Sequence, residues 1–175
     1  MTEPGFTTSI SKMTGFYVVG MTVTGKDYFA LEDLPQNIAN ELRSAVGDFQ
    51  LETTPENINF GTAAKPIMVD IDLRNDRQIT ITFRNTAKEL ASVTFVNEPG
   101  ADAAFFAGMR AYPPAVDVYQ TAIRSGTTEE LEKTTAARRE IHDECTRLLR
   151  KKLAPAVCID KQAARRLFTI IALVR

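Results

Sequence analysis

Residues 67–83 read IMVDIDLRNDRQITITF, a stretch in which apolar and polar side chains alternate. The alternation pauses at a polar turn, residues 74–77, and returns in residues 89–95, where Ala91, Val93 and Phe95 alternate with polar neighbours. A period of two is typical of strands that bury one face only. The pattern therefore predicts an antiparallel meander with one dry face and one wet face.

A further strand is predicted upstream of this meander. Residues 15–24 are rich in valine, threonine and aromatic side chains, and Gly20 interrupts them, which indicates a bulge. With this strand the sheet is expected to be an antiparallel meander of about four to five strands. Residues 1–14 lack periodicity and are predicted to form an extended N-terminal arm, with residues 15–175 as a single domain.

Helical spacing appears on both sides of the meander. Leu34, Ile38, Leu42 and Val46 share one helical stripe, and Asp33 precedes it as a cap. Near the C-terminus, Thr127 and Glu130 have the spacing of a capping box. They predict the start of a long helix over residues 127–153. The fold class is therefore predicted to be α+β, with helices covering one face of the sheet.

Prolines divide the remaining helical segments. Residues 101–111 are predicted to form a short helix that stops before Pro113 and Pro114, with a second helix from Pro114 to Ser125. After Pro155, Asp160 can cap a last segment. The apolar run of residues 167–174 favours a helix but also fits a buried strand, because a continuous apolar run has no period.

The predicted core takes one or two apolar side chains from each element. Its members are Ile38, Leu42, Val69, Ile71, Ile79, Ile81, Val93, Phe95, Phe105, Ile141, Leu148 and Leu167.

Composition limits the class of protein. The 175 residues are 44% hydrophobic and 25% charged, as in ordinary globular domains, and no apolar run is long enough to span a bilayer. The N-terminal residues lack the pattern of a secretory signal, and Cys145 and Cys158 do not form a disulfide framework. These observations predict a cytoplasmic protein that is not associated with a membrane.

One near-motif resembles a nucleotide-binding loop. Residues 20–27, GMTVTGKD, have the glycine and lysine spacing of a P-loop, but Asp27 stands where that loop needs Ser or Thr for magnesium. The intervening residues also favour an extended backbone. We therefore expect no cofactor there.

Two further pairs of residues are candidates for a site. Asp70 and Asp72 share one face of a strand and would hold a divalent cation only if other carboxylates joined them. His142 and Cys145 are three residues apart on the long helix, where a Cys–His couple is geometrically allowed. No third group can be identified for either, so no catalytic or metal-binding residue is predicted, and a non-enzymatic role is favoured.

Charge is distributed unevenly along a chain whose net charge is −1. Residues 1–125 carry 10 Lys and Arg against 15 Asp and Glu, whereas residues 126–175 carry 11 against 7. Basic side chains near the C-terminus are therefore candidates for contact with an anion or a partner. They are Arg138, Arg139, Arg150, Lys151, Lys152, Arg165 and Arg166.

The sequence is compatible with three functions. The first is a structural or assembly subunit that contacts other protein subunits, including copies of itself, in a complex such as a virion. The polar arm, the apolar C-terminal run and the charge asymmetry motivate it. The alternatives are a small metal-dependent hydrolase or transferase that uses Asp70 and Asp72, and a module that binds anions or nucleic acid through the C-terminal basic residues. Nucleic acid is not favoured, because acidic residues are interleaved among these arginines.

Overall fold

The computed structural model describes six segments of the chain: residues 7–10, 18–25, 34–47, 67–75, 77–84 and 89–174. They form five strands and four helices. The strands are β1 (Thr7–Ile10), β2 (Val18–Gly25), β3 (Ile67–Asn75), β4 (Gln78–Arg84) and β5 (Glu89–Val96). The helices are α1 (Gln36–Gly47), α2 (Ala103–Ser125), α3 (Thr128–Leu153) and α4 (Lys161–Val174).

The five strands lie side by side in sequence order in one sheet. Strands β3, β4 and β5 form the predicted antiparallel meander, in which Ile71 pairs with Ile81 and Ile81 with Val93. Strand β2 runs parallel to β3, with a register shift between Val18 and Gly20 where the bulge was predicted. The α+β prediction is confirmed, but the meander has three strands instead of four or five, because a parallel pairing joins β2 to it.

Strand β1 falls within the predicted N-terminal arm. It pairs antiparallel with β2, from Thr7 opposite Thr24 to Ile10 opposite Met21. The rest of residues 1–14 lies outside the described residues, so the division into an arm and a single domain stays a prediction.

The two faces of the meander differ as the alternation predicts. The apolar positions Val69, Ile71, Ile79, Ile81 and Phe83 are each at most 1% exposed. On the other face, hydroxyl pairs join neighbouring strands at Thr80–Thr94 (3.0 Å) and Thr82–Ser92 (3.1 Å). Burial of the apolar face contributes roughly 25 cal/mol per Å² of apolar surface removed from water, which is why the helices pack on that side.

Aromatic contacts connect the covered face to the helices. Phe95 of β5 stacks on Phe105 of α2 at 4.6 Å between ring centroids, and Phe105 meets Phe168 of α4 edge-on at 6.0 Å. The C-terminal half of helix α4 is buried on all sides: every residue from Leu167 to Leu173 is at most 6% exposed. Of the predicted core, Val93, Ile141 and Leu148 are only partly buried and pack against it, and the others are buried.

The helix boundaries follow their predicted caps at two places. The Oγ1 of Thr127 accepts a hydrogen bond from the backbone N–H of Glu130 (3.2 Å), and the Glu130 carboxylate accepts one from the N–H of Thr127 (2.8 Å). Asp160 accepts hydrogen bonds from the N–H groups of Gln162 and Ala163. The long helix is thus confirmed, and the apolar C-terminal run is helical.

The prediction of two helices around Pro113 and Pro114 is wrong. Helix α2 continues through both prolines, although each lacks the N–H that an interior helical residue donates. Tyr112 and Val116, on either side of the pair, are 1% and 0% exposed and lie on the same apolar stripe as Phe105 and Met109. Burial of this stripe outweighs the two lost hydrogen bonds. Among the described helices, none is long and apolar enough to cross a membrane.

Candidate anion-binding site

A cleft of about 270 Å³ opens where all four helices meet. Helix α1 contributes Glu41 and Ser44 to its wall, α2 contributes Tyr112, and α3 and α4 contribute the remaining polar side chains. The chain segments that meet here are far apart in sequence. The cleft is therefore a product of tertiary packing.

Four arginines line the cleft: Arg138 and Arg139 from α3, and Arg165 and Arg166 from α4. Arg138 donates a hydrogen bond to Glu41 (3.0 Å), and its guanidinium lies 4.3 Å from the centroid of the Tyr119 ring. Arg165 is ion-paired with Asp143 of α3. Arg139 and Arg166 have no hydrogen-bond or ion-pair partner within the described segments. Two cations of the cleft are thus anchored and two are open.

Glu41 supplies the carboxylate of the cleft wall, and this carboxylate is already bound by other side chains of the cleft. Its Oε1 accepts hydrogen bonds from both Arg138 and the Tyr112 hydroxyl, the latter at 3.2 Å. Burial and the nearby Glu41 charge raise the pKa of Tyr112 to about 12. Tyr112 therefore stays protonated and acts as a hydrogen-bond donor. The cleft keeps an excess of positive charge.

His142 forms part of the same wall and is 8% exposed. Its Nε2 lies 2.9 Å from the Oγ1 of Thr169, and its ring stacks on Tyr112 at 5.3 Å between centroids. The Nδ1 has no hydrogen-bond partner in the described part of the molecule. Burial lowers the pKa of His142 to about 4, and the charges of Arg165 and Arg138 act in the same direction. The imidazole is therefore neutral at pH 7.

Seven basic residues are predicted from the sequence as contacts for an anion or a partner, and the structure places only four of them in the cleft. Arg138, Arg139, Arg165 and Arg166 line the cleft. Arg150 donates to the backbone carbonyl of Ile159 (3.1 Å), and Lys152 pairs with Asp102 (2.9 Å). Lys151 is exposed and does not line the cleft. The last three therefore do not belong to the candidate site, and their contact with an anion or partner stays a prediction.

His142 and Cys145 do not form a reactive couple in the described structure. Burial raises the pKa of the Cys145 thiol to about 11, so the thiolate needed for nucleophilic attack is scarce at pH 7. His142 instead contacts Thr169 of α4. Cys145 is 2% exposed and belongs to the core.

Among the described residues, the acidic pair on β3 is not part of a group of three or more metal-ligating side chains. Asp70 is ion-paired with Arg84 on the neighbouring strand. No group of three or more metal-ligating side chains occurs in the segments that the structure describes. The geometry therefore gives no support to the metal-dependent hydrolase.

The near-match to a P-loop lies on a strand. Residues 20–25 belong to β2, where they pair with β3. This extended backbone differs from the glycine-rich loop that cradles phosphate, while Lys26 and Asp27 lie outside the described residues.

The sequence did not reveal the partners of the arginines. Glu41, Tyr112 and Thr169 complete the cleft, and their contacts join residues 71, 97 and 27 positions apart. The one available signal was the repetition of adjacent arginines at 138–139 and 165–166. This repetition identified the basic side chains but not the cleft that they line.

Comparison with known proteins finds one family. A model described as "Uncharacterised protein family (UPF0262)" matches residues 24–175. A UPF0262 protein of Rhodopseudomonas palustris strain TIE-1 is 48% identical over 56 residues, which are 32% of this chain and 34% of that protein. A UPF0262 protein of Nitrobacter hamburgensis is 45% identical over 56 residues with the same coverage. The chain thus spans about a third of the length of these relatives. No solved structure matches it.

These findings correct the first functional hypothesis. The matched relatives are bacterial proteins of an uncharacterised family, so the prediction of a structural or virion-assembly subunit is wrong. One of its motives also fails physically. The apolar C-terminal run does not offer a contact surface, because Ile170 and Ile171 are 0% exposed within the chain's own core.

Proposed function

Because the chain belongs to the uncharacterised family UPF0262, whose description assigns no activity, we propose a function from the cleft: the protein binds a small oxyanion. The ligand carries a carboxylate or phosphate group, since guanidinium groups match both in geometry and charge. The site is the wall formed by Arg138, Arg139, Arg165 and Arg166.

The observation that carries this proposal is the state of Arg139 and Arg166. Both line one cleft, and within the described chain neither has an acidic partner. Neighbouring like charges repel one another unless an anion lies between them. An oxyanion in the cleft would remove that repulsion and accept hydrogen bonds from both side chains.

Arg138 and Arg165 support the proposal because they are held in place. Arg138 is fixed by Glu41 and by the Tyr119 ring, and Arg165 is fixed by Asp143. Side chains that are already ordered lose less conformational entropy when a ligand binds. The cleft therefore combines two preorganised arginines, Arg138 and Arg165, with two that have no partner among the described residues.

A small ligand fits this surface better than a nucleic acid does. The cleft volume of about 270 Å³ is just below the usual range for small-molecule sites. Arg150 and Lys152 are engaged in contacts within the fold, which interrupts the basic surface beyond the cleft. A polymer needs a continuous run of cations along its backbone.

Calorimetric titration with orthophosphate and with succinate tests the proposal. We expect saturable binding of at least one of them to the wild type, and about tenfold or greater weakening in Arg139→Gln/Arg166→Gln, because two charge-assisted contacts are removed. The matched control is Arg110→Gln/Arg124→Gln, which removes two exposed arginines of α2 away from the cleft. Equal weakening in both double variants, or no binding of either anion to the wild type, would contradict the proposal.

Two further proposals concern the partners of the protein and its location in the cell. Association with other protein subunits, including a second copy of the chain, is testable by light scattering of the purified protein. A cytoplasmic location is testable by fractionation of the cells that produce it.

A further inference from the structure

Helices α3 and α4 present the same arrangement of side chains to the cleft. Each helix lines it with four polar residues at positions i, i+3, i+4 and i+7, which share one face of a helix. These residues are Thr135, Arg138, Arg139 and His142 on α3, and Gln162, Arg165, Arg166 and Thr169 on α4. Two adjacent arginines therefore occupy the middle of each face.

The two faces are in direct contact. His142 and Thr169, the last residues of the two sets, lie 2.9 Å apart between Nε2 and Oγ1. In each helix the arginine pair comes about one turn before this contact. Both pairs line a single cleft of about 270 Å³, so one small ligand can reach the two helices at once.

Within each pair, one arginine is bound by a carboxylate and the other is open. Glu41 binds Arg138, and Asp143 binds Arg165. The second arginine of each pair has no hydrogen-bond or ion-pair partner among the residues that the structure describes. Each helix thus presents one open arginine, at position i+4 of its face.

The charge of the cleft follows from these contacts. In the described chain, Glu41 is the only carboxylate that lines the cleft, and it compensates Arg138. Asp143 lies outside the lining and compensates Arg165. Lys161 also approaches Asp143, at 3.7 Å, but its side chain is 60% exposed and does not line the cleft. The two open arginines remain uncompensated.

The other groups of the wall do not change this charge. Burial lowers the pKa of His142 to about 4 and raises the pKa of Tyr112 to about 12, so both side chains are neutral between pH 7 and pH 8. Ser44 and Gln162 add polar groups without charge. The described wall therefore keeps two positive charges, one on each helix.

From this charge distribution we propose that the ligand is a dianion that bridges α3 and α4, such as a dicarboxylate or a phosphate monoester. Arg139 and Arg166 each compensate one of its negative charges. A monoanion would leave one of the two guanidinium groups uncompensated beside the other cations of the wall. This inference rests on the proposed function and adds the charge of the ligand and the two helices that it joins.

Matched ligand pairs test the charge directly and need no variant. Calorimetric titration at about pH 8 compares succinate with succinamate, and methyl phosphate with dimethyl phosphate. The first member of each pair is a dianion at this pH, and the second is a monoanion of similar shape. In at least one pair the dianion should bind about tenfold more tightly or better, because a second charge-assisted contact is made. The pair that shows the preference distinguishes a dicarboxylate site from a phosphate site.

The outcomes separate this inference from the proposed function. Equal affinities within both pairs, with binding still weakened in Arg139→Gln/Arg166→Gln, would overturn the dianion and leave the proposed function standing. Absence of all binding would overturn both.

Single variants test whether the ligand bridges the two helices. Arg139→Gln and Arg166→Gln each leave one open charge, so each should abolish most of the preference for the dianion. Arg139→Lys and Arg166→Lys keep the charge without the forked geometry and should keep most of the preference. The control Arg110→Gln/Arg124→Gln should keep all of it. An undiminished preference in either glutamine variant, or the same loss in the lysine and glutamine variants, would contradict a dianion held by one charge from each helix.

Discussion

Gly108 of α2 faces Cys145 of α3 so closely that a Cβ at this position would overlap the cysteine Sγ. Alanine normally stabilises a helix interior by about 1 kcal/mol relative to glycine. Here Cys145 is 2% exposed and has little room to move, so overpacking of about 1–3 kcal/mol outweighs that gain. We predict that Gly108→Ala lowers the free energy of unfolding in urea.

A double variant checks the cause. Cys145→Ala removes the Sγ, so Gly108→Ala should cost less in that background than in the wild type. If Gly108→Ala stabilises the protein, or costs the same in both backgrounds, α2 and α3 are not packed as described.

His142 predicts a pH dependence of stability. Burial, and then the charges of Arg165 and Arg138, lower the pKa of His142 in the folded protein from its ordinary value of 6.5 to about 4. Between pH 6.5 and about 4, the imidazole of His142 is protonated in the unfolded chain but neutral in the folded protein. This difference in pKa contributes on the order of 3 kcal/mol to the free energy of unfolding. The contribution is fully present above pH 6.5 and is lost as the pH falls to about 4.

Urea unfolding between pH 7 and pH 4 measures this contribution. His142→Gln lacks the titrating group, so the wild type should lose more stability than the variant over this interval. Parallel curves for the two proteins would show that His142 is not a buried neutral imidazole.

At the scale of elements, the capping box carries the start of α3. Thr127→Ala removes the side-chain acceptor for the N–H of Glu130 and should lower the free energy of unfolding by about 1 kcal/mol. Glu132→Ala is the matched control, since Glu132 is exposed and lies beyond the first turn. Thermal unfolding of both variants compares them; an equal shift in Tm would mean that the cap contributes no more than a surface glutamate.

Elements with a strong local signal were the predictable part of the fold. The period-two alternation identified β3 and β4, and the Thr127 and Glu130 spacing identified the start of α3. The predicted break in helix α2 does not occur, because burial of the apolar stripe that passes through Pro113 and Pro114 outweighs the local effect of the two prolines. The parallel pairing of β2 with β3 leaves no local signal, because it depends on a contact between segments more than 40 residues apart.

At the scale of the whole molecule, helix α4 contacts each of the other three helices, so its burial can be tested by shortening one side chain. Ile170 is 0% exposed, so Ile170→Ala removes buried apolar volume and should lower the free energy of unfolding by about 2–5 kcal/mol. Gln162→Ala, an exposed position on the same helix, is the control and should cost far less. Similar losses in the two variants would mean that α4 is not the buried helix of the fold.

The candidate site was only partly predictable for a related reason. Adjacent arginines at 138–139 and 165–166 were identified as possible anion contacts, but so were Arg150 and Lys152, which the fold uses internally. Charge can be read from the chain, whereas the partner of each charge is set by tertiary packing. Glu41 anchors Arg138 from 97 positions away, and the residues next to Glu41 in the sequence do not indicate this role.

The central claim is that the four-helix cleft binds an oxyanion through its open arginines. Its most direct test is a titration of the ¹⁵N-labelled protein with orthophosphate and with succinate, observed at the arginine side-chain Nε–Hε resonances. With at least one of the two anions, the signals of Arg139 and Arg166 should move in a saturable manner, while those of Arg110 and Arg124 stay in place. Equal movement of all four signals, or none at Arg139 and Arg166 with either anion, would contradict the account.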